Sequence, residues 1–288
     1  MKKLASLLAL ITISWSCEKE IDYQIPDPGE KIVVSAELVD GEIPKVYLST
    51  SVYSMSAASP KTSDIYTGWL FSNHPDSPFK LEAKLDSNSF RPQYYYTTSH
   101  EIKAGKAYRI EANAPNLDPI SSSVIIPPVS PIQNLIFDSI TREITFNLLD
   151  KVGVDNYYYI EIRDQENDYQ LIYSTADPIL EFFGFSSDFL DGDQNGRNFG
   201  PAAYFDDNSF KNDRKQVSIR LEEFNVLNRD FYVYLYSISE SMYRFRLTKA
   251  ANGFGDEIFS EPVQLYSNVE GGYGILSAKS SSRSLVRY

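Results

Sequence analysis

The chain has 288 residues, enough for one large β domain or two of ordinary size. Hydrophobic residues at 42% and charged residues at 23% require a packed core and exclude global disorder. The formal net charge is −12, about −14 without Lys2 and Lys3, and such a surface repels phosphate backbones, so no nucleic-acid partner is expected.

Lys2 and Lys3 are followed by an apolar stretch, Leu4 to Ile13, that is too short to cross a bilayer as a helix. Ser14 and Ser16 are small residues where a signal peptidase inspects the chain, and Cys17 follows. Residues 1–16 therefore read as an export signal. Cys17 is the only cysteine, so the chain can form no internal disulfide and no cysteine-built zinc site. Residues 17–30 run through Glu18-Lys19-Glu20-Ile21-Asp22 and then Pro26, Pro28 and Gly29, a charged tether and an extended linker.

From Lys31 the pattern is β. Aromatics make up 14% of the chain, with 21 Tyr and 17 Phe, which favour pleated, half-buried surfaces. Strands are predicted over 32–38, 45–53, 79–85, 90–98, 107–112 and 124–126, with Asp40-Gly41 as a turn. Pro127, Pro128 and Pro131 divide an N-terminal β-sandwich, 31–128, from a C-terminal sandwich-like region, 129–288. Beyond them, strands are predicted over 144–148, 156–162, 216–221 and 231–237, and residues 177–212 read as a long irregular loop. A Ser cap and the spacing of Met242, Phe245 and Ala250 predict a helix over 239–251, closed by Asn252-Gly253. The fold class is thus mostly β: two immunoglobulin- or fibronectin-like sandwich regions with one short helix near the C-terminus.

Asp191-Gly192-Asp193-Gln194-Asn195-Gly196-Arg197 has the alternating oxygen ligands and glycines of a calcium loop. Asp191, Asp193 and Asn195 are the candidate metal ligands. Ala202 stands where such loops carry a bidentate Glu, and the other reading is a polar turn with solvated carboxylates. His74 and His100 are the only histidines, and neither has a second ligand at metal spacing in the sequence. No nucleophile, P-loop or HxxxH pattern is present, so no catalytic residue is assigned and no enzyme is expected. Tyr94-Tyr95-Tyr96 and Tyr157-Tyr158-Tyr159 place rings on both faces of a strand, which reads either as core plus a covered outer face or as an aromatic platform. The Gly271-Gly272-Tyr273-Gly274 segment reads as a tight turn with backbone close to a neighbouring chain segment.

Ser14 to Cys17 resembles the lipobox of bacterial lipoproteins, which implies diacylglycerol on the Cys17 thiol. The charged run after it is similar to the Bacteroidota signal for outer-leaflet display. Ser260 to Leu276, with Pro262-Val263, Tyr266, Asn268-Val269 and the glycines, resembles the closing motif of a Bacteroidota lipoprotein family known as domain of unknown function number 4249. Tyr204-Phe205-Asp206-Asp207-Asn208-Ser209-Phe210 and the helix with Tyr243 are similar too. The resemblance implies a mostly β outer-membrane lipoprotein, lipid-anchored and surface-exposed, associated with TonB-dependent β-barrel transporters, with no established catalytic residues. A calcium-dependent adhesin or glycan binder is the second expectation.

Overall fold

A computed structural model of the protein describes residues 29–52, 62–87, 92–150, 153–183, 198–210, 214–222, 229–252 and 264–288. Cys17 and the Asp191, Asp193 and Asn195 loop lie outside the described residues.

The first half contributes β1 (Ile32–Val39), β2 (Val46–Thr50), β3 (Thr67–Ser72), β4 (Phe79–Asp86), β5 (Gln93–Thr97), β6 (Ala107–Asn113) and β7 (Ile120–Ile125). The second contributes β8 (Gln133–Asp138), β9 (Glu143–Leu149), β10 (Tyr157–Asp164), β11 (Tyr173–Thr175), β12 (Asn198–Gly200), β13 (Ala202–Asp206), β14 (Arg214–Leu221), β15 (Phe231–Ile238), α1 (Glu240–Asn252) and β16 (Tyr273–Val286). The fold is mostly β, with one helix near the C-terminus. An eleven-stranded sheet runs β13-β10-β15-β16-β1-β2-β5-β4-β3-β6-β7, and a five-stranded sheet runs β12-β11-β14-β9-β8. Residues 177–212, read from sequence as one loop, include β12 and β13.

Period-two alternation builds both cores. Ile32, Val34, Ala36 and Leu38 of β1 point inward with Leu48, Leu70, Tyr96 and Ile110, and form the first core. Ile144, Phe146 and Leu148 of β9 face Ile160, Ile162, Val233 and Leu235 across the second. Each fully buried aliphatic or aromatic side chain contributes about 1.5–3 kcal/mol. β4 serves both layers of the first core: Phe79–Leu81 pairs with β3, and Glu82–Asp86 pairs with β5.

β16 joins the two cores. Its first half, Tyr273–Lys279, lies parallel to Val33–Val39 of β1. Its second half, Lys279–Val286, is antiparallel to β15. Leu276 and Ala278 enter the first core, and Val286, on the same face of the strand, enters the second. Every other strand pair among the described residues is antiparallel.

The glycine segment is where β16 enters. Gly271 has φ +78°, and a Cβ there would sit 2.4 Å from the Pro119 carbonyl. At Gly272 it would sit 2.3 Å from the Ile32 carbonyl, and at Gly274 it would sit 1.9 Å from the Val34 carbonyl. The close backbone approach expected from these glycines is therefore what the structure has. Asn268 completes the seam: its Oδ1 accepts from Leu276 N–H at 3.0 Å, and its Nδ2 donates to Leu276 O at 2.8 Å. Ser121 of β7 exchanges hydrogen bonds of 3.1 and 2.8 Å with Glu270, so the first layer curls back onto the start of β16.

α1 begins as the sequence predicts. The Ser239 Oγ accepts from Met242 N–H at 3.3 Å, the Ser cap expected of that position.

Candidate functional site

The face of β13-β10-β15-β16-β1-β2 turned away from the cores carries a row of aromatic and charged side chains. Alternation puts Tyr157, Tyr159, Glu161 and Arg163 of β10 on it, with Tyr158 inward in the second core. Strand register brings Tyr204 and Tyr236 to either side of Tyr159, and Tyr234 beside Glu161. Phe183, Tyr204, Tyr159, Tyr236 and Tyr234 stack in succession, with ring centroids 4.9, 5.1, 4.3 and 5.7 Å apart. Offset stacks of this kind add about 0.5–1.5 kcal/mol per pair beyond the area they bury.

Charges rim the stack. Glu161 is buried and accepts from Arg163 Nε at 2.9 Å and from Gln170 Nε2 at 2.6 Å. Lys279 holds its ammonium 5.2 Å from the Tyr236 ring centre and pairs with Glu37 at 2.5 Å. Arg283 lies over Tyr232 and Tyr234, 4.7 and 5.9 Å from their centres. Burial first, and then Glu161, pushes the phenols of Tyr159 and Tyr236 up, and both rings stay neutral at physiological pH.

α1 crosses this face. Met242 is buried against Tyr159, Tyr204, Tyr236 and Ile238. Tyr243 packs 5.0 Å from Tyr157 and 5.7 Å from Phe183, and burial, helped by Glu181 and Asp206, takes its phenol to about 12. Two clefts flank the helix. One of about 500 Å³ lies at its start, between Pro127, Pro128, Val154, Tyr157 and Tyr266. The other, of about 300 Å³, lies between the helix and the outer face of β1 and β2.

The tyrosine triplets divide as alternation requires. Tyr96 is in the first core, where its hydroxyl donates to Ser63 O at 2.8 Å and accepts from Tyr66 N–H at 3.0 Å. Tyr95 faces outward near Tyr47, 6.2 Å between centres.

The two histidines, unrelated in sequence, meet between the β3–β4 and β5–β6 connections, 5.2 Å between ring centres. His100 stacks on Phe79 at 4.1 Å, with the Tyr108 hydroxyl 3.5 Å from its Nε2. Among the described residues no three His, Cys, Asp or Glu side chains are placed to share a metal. Burial, then the adjacent His74, holds the His100 pKa below its usual 6.5, against the smaller upward pull of Glu101; Lys103 lowers it further. The fold therefore favours neutral His100. The unfolded chain takes up the proton more readily, so this contribution is lost as pH falls through 6.5 towards the lower native value. Acidification from about pH 7.5 to about pH 5 should lower Tm more in the wild type than in His100→Phe, whose ring keeps the stack on Phe79. Superimposable Tm–pH curves would refute this.

The matching family model, "Domain of unknown function (DUF4249)", covers residues 18–284. The chain belongs to this family. No curated protein matches it. Solved structures give distant likenesses. The chicken interferon gamma receptor alpha chain is 10% identical, over 73% of this chain and 89% of that one, with a TM-score of 0.21. A DUF4785 family protein of Legionella pneumophila is 8% identical, over 72% and 52%, at 0.26. The B domain of a biofilm associated protein is 9% identical, over 88% and 85%, at 0.21. TM-scores this low carry nothing over to this chain.

Proposed function

We propose that this DUF4249 protein is a non-catalytic binding component, lipid-anchored at the outer membrane and acting as an accessory of a TonB-dependent β-barrel transporter. The observation that carries the binding part is the pair of clefts beside α1, whose linings include Tyr47 on one side and Tyr157 and Tyr266 on the other. The stacked Tyr159, Tyr204 and Tyr236 are buried beneath α1 and form its bed, so contact with a partner falls to the tyrosines of the clefts. Tyrosine offers rigid apolar area and a hydroxyl at little conformational cost. The anchor rests on the leader, Cys17 and the charged, proline-bearing tether that follows it. One lipidated residue at the start of an extended linker would hold the β body away from the bilayer.

Replacing Cys17 with serine is expected to move the protein from the outer-membrane fraction to the soluble fraction of the native cell. Unchanged membrane association would overturn the anchor. Purification of the native protein from detergent-solubilised outer membrane is expected to recover an integral β-barrel partner, and recovery of the protein alone counts against the transporter role. The second reading, a calcium-dependent adhesin or glycan-binding lipoprotein, is favoured by the Asp191-Gly192-Asp193-Gln194-Asn195 pattern. Calorimetric heat on calcium addition would raise it above the first.

A further inference from the structure

The 300 Å³ cleft beside α1 gathers two cations in its lining. The protein as a whole carries 39 acidic and 27 basic residues, yet Lys45 and Arg246 both line this cleft. Neither forms an ion pair among the described residues. Lys45 has only the Tyr95 ring, 5.4 Å from its ammonium. The Arg246 charge acts on Tyr204, drawing partly back down a phenol that burial pushes up. The one carboxylate in the lining, Glu37, is already taken by Lys279 at 2.5 Å.

Two cations left without carboxylate partners in one concavity of an acidic protein offer a site to an anion from outside. The rest of the lining limits the shape of that anion. Met242, Phe245 and Ile275 supply an apolar wall, and Tyr47 adds an aromatic ring with a hydroxyl. The Ser277 hydroxyl is committed to Ala36 O at 3.1 Å, and Ser35 adds a second hydroxyl at the floor. A bare inorganic anion would use only the cations. A ring with one apolar face, several hydroxyls and a carboxylate would use all of the lining. The volume is at the lower end for ligand pockets and fits a ligand of one or two rings.

We propose that the cleft between α1 and β1–β2 binds an acidic sugar: a carboxylate-bearing pyranose held by Lys45 and Arg246 and stacked against Tyr47 and Phe245. This deepens the binding role proposed above and rests on it. It requires neither the lipid nor the transporter, so its failure is distinguishable from theirs.

The test is isothermal calorimetry on the full chain in detergent, with D-glucuronate and D-galacturonate as probes and D-glucose, D-galactose and acetate as controls. A saturable heat is expected with at least one uronate and with none of the controls. Arg246→Gln and Lys45→Gln should each weaken binding roughly tenfold or more, the cost of losing one charge-assisted contact. Their melting temperatures should match the wild type, because neither cation holds an internal ion pair among the described residues. Absence of heat with both uronates at millimolar concentration overturns the proposal. So does glucose binding as well as glucuronate, acetate binding as well as either uronate, or uronate binding unaffected by Arg246→Gln.

Discussion

Gly274→Ala should abolish cooperative folding or cost at least about 3 kcal/mol of stability. Two effects act together at this position. The φ of +108° is one that L side chains rarely adopt, and the added Cβ would lie 1.9 Å from the Val34 carbonyl oxygen, with the Val34 carbonyl carbon and nitrogen within 3 Å. Those atoms are backbone of β1, paired in register with Gly274, so neither side can yield without breaking the parallel seam. Gly105→Ala is the control. Gly105 has a similar sign of φ, +74°, but nothing lies within 4 Å of its would-be Cβ. It should cost only the conformational penalty, about 1–2 kcal/mol. Thermal and urea melts of the two variants separate the effects. A Gly274→Ala protein that melts alongside Gly105→Ala would show that the seam is not what holds β16.

Tyr173→Phe is the second large effect. Tyr173 is fully buried, and its hydroxyl spans two strands of the opposite sheet, donating to Ile160 O at 2.8 Å and accepting from Ala203 N–H at 2.7 Å. Removing one oxygen leaves a buried acceptor and a buried donor unmatched. At roughly 1–3 kcal/mol for each such group, the loss should be about 2–4 kcal/mol, large for so conservative a change. Tyr96 is the counterpart in the first core, tying Ser63 O to Tyr66 N–H. Tyr169→Phe, at an exposed ring, should be neutral to within about 0.5 kcal/mol. Urea midpoints at constant m-value decide it. A Tyr173→Phe midpoint equal to that of Tyr169→Phe would mean that the hydroxyl bridge carries no net stability.

Strands with clean alternation were legible in the sequence: β1, β6, β9, β10, β14 and β15 fall within a few residues of where the pattern puts them. So does α1, whose cap and C-terminal Asn-Gly are local signals. What escaped is informative. β16 reads Tyr-Gly-Ile-Leu-Ser-Ala-Lys-Ser-Ser-Ser-Arg-Ser-Leu-Val, and its serines hide the alternation because Ser is nearly neutral on a hydropathy scale yet small enough to be buried between sheets. Ser280 is fully buried there. β3 has no clean alternation because Gly68 interrupts it, where a Cβ would lie 3.1 Å from Leu81 Cδ1. β12 and β13 lie in a stretch rich in Gly, Asp and Asn, which resembles a loop in composition.

The site was half legible. Tyr157 and Tyr159, and Tyr232, Tyr234 and Tyr236, alternate within their own strands, so each set shares a face on local grounds alone. That β10 and β15 are neighbours, which turns two rows into one stack, is a matter of register and has no local signal. The same holds for His74 beside His100, and for Lys45 and Arg246 in one cleft: long-range pairings of residues with no sequence relation.

The shared strand also sets a condition on folding. The hydroxyl of Ser277 reaches the carbonyl of Ala36 across 241 residues of chain, and the edge of β1 closes only once β16 lies beside it. Neither core can be sealed early, because each lacks a wall until Tyr273–Val286 is present. A sheet built this way is completed only when β16 slides between two partners at once, β1 on one side and β15 on the other. Without that strand the edges of β1 and β15 stand open, and open edges pair with whatever strand they meet.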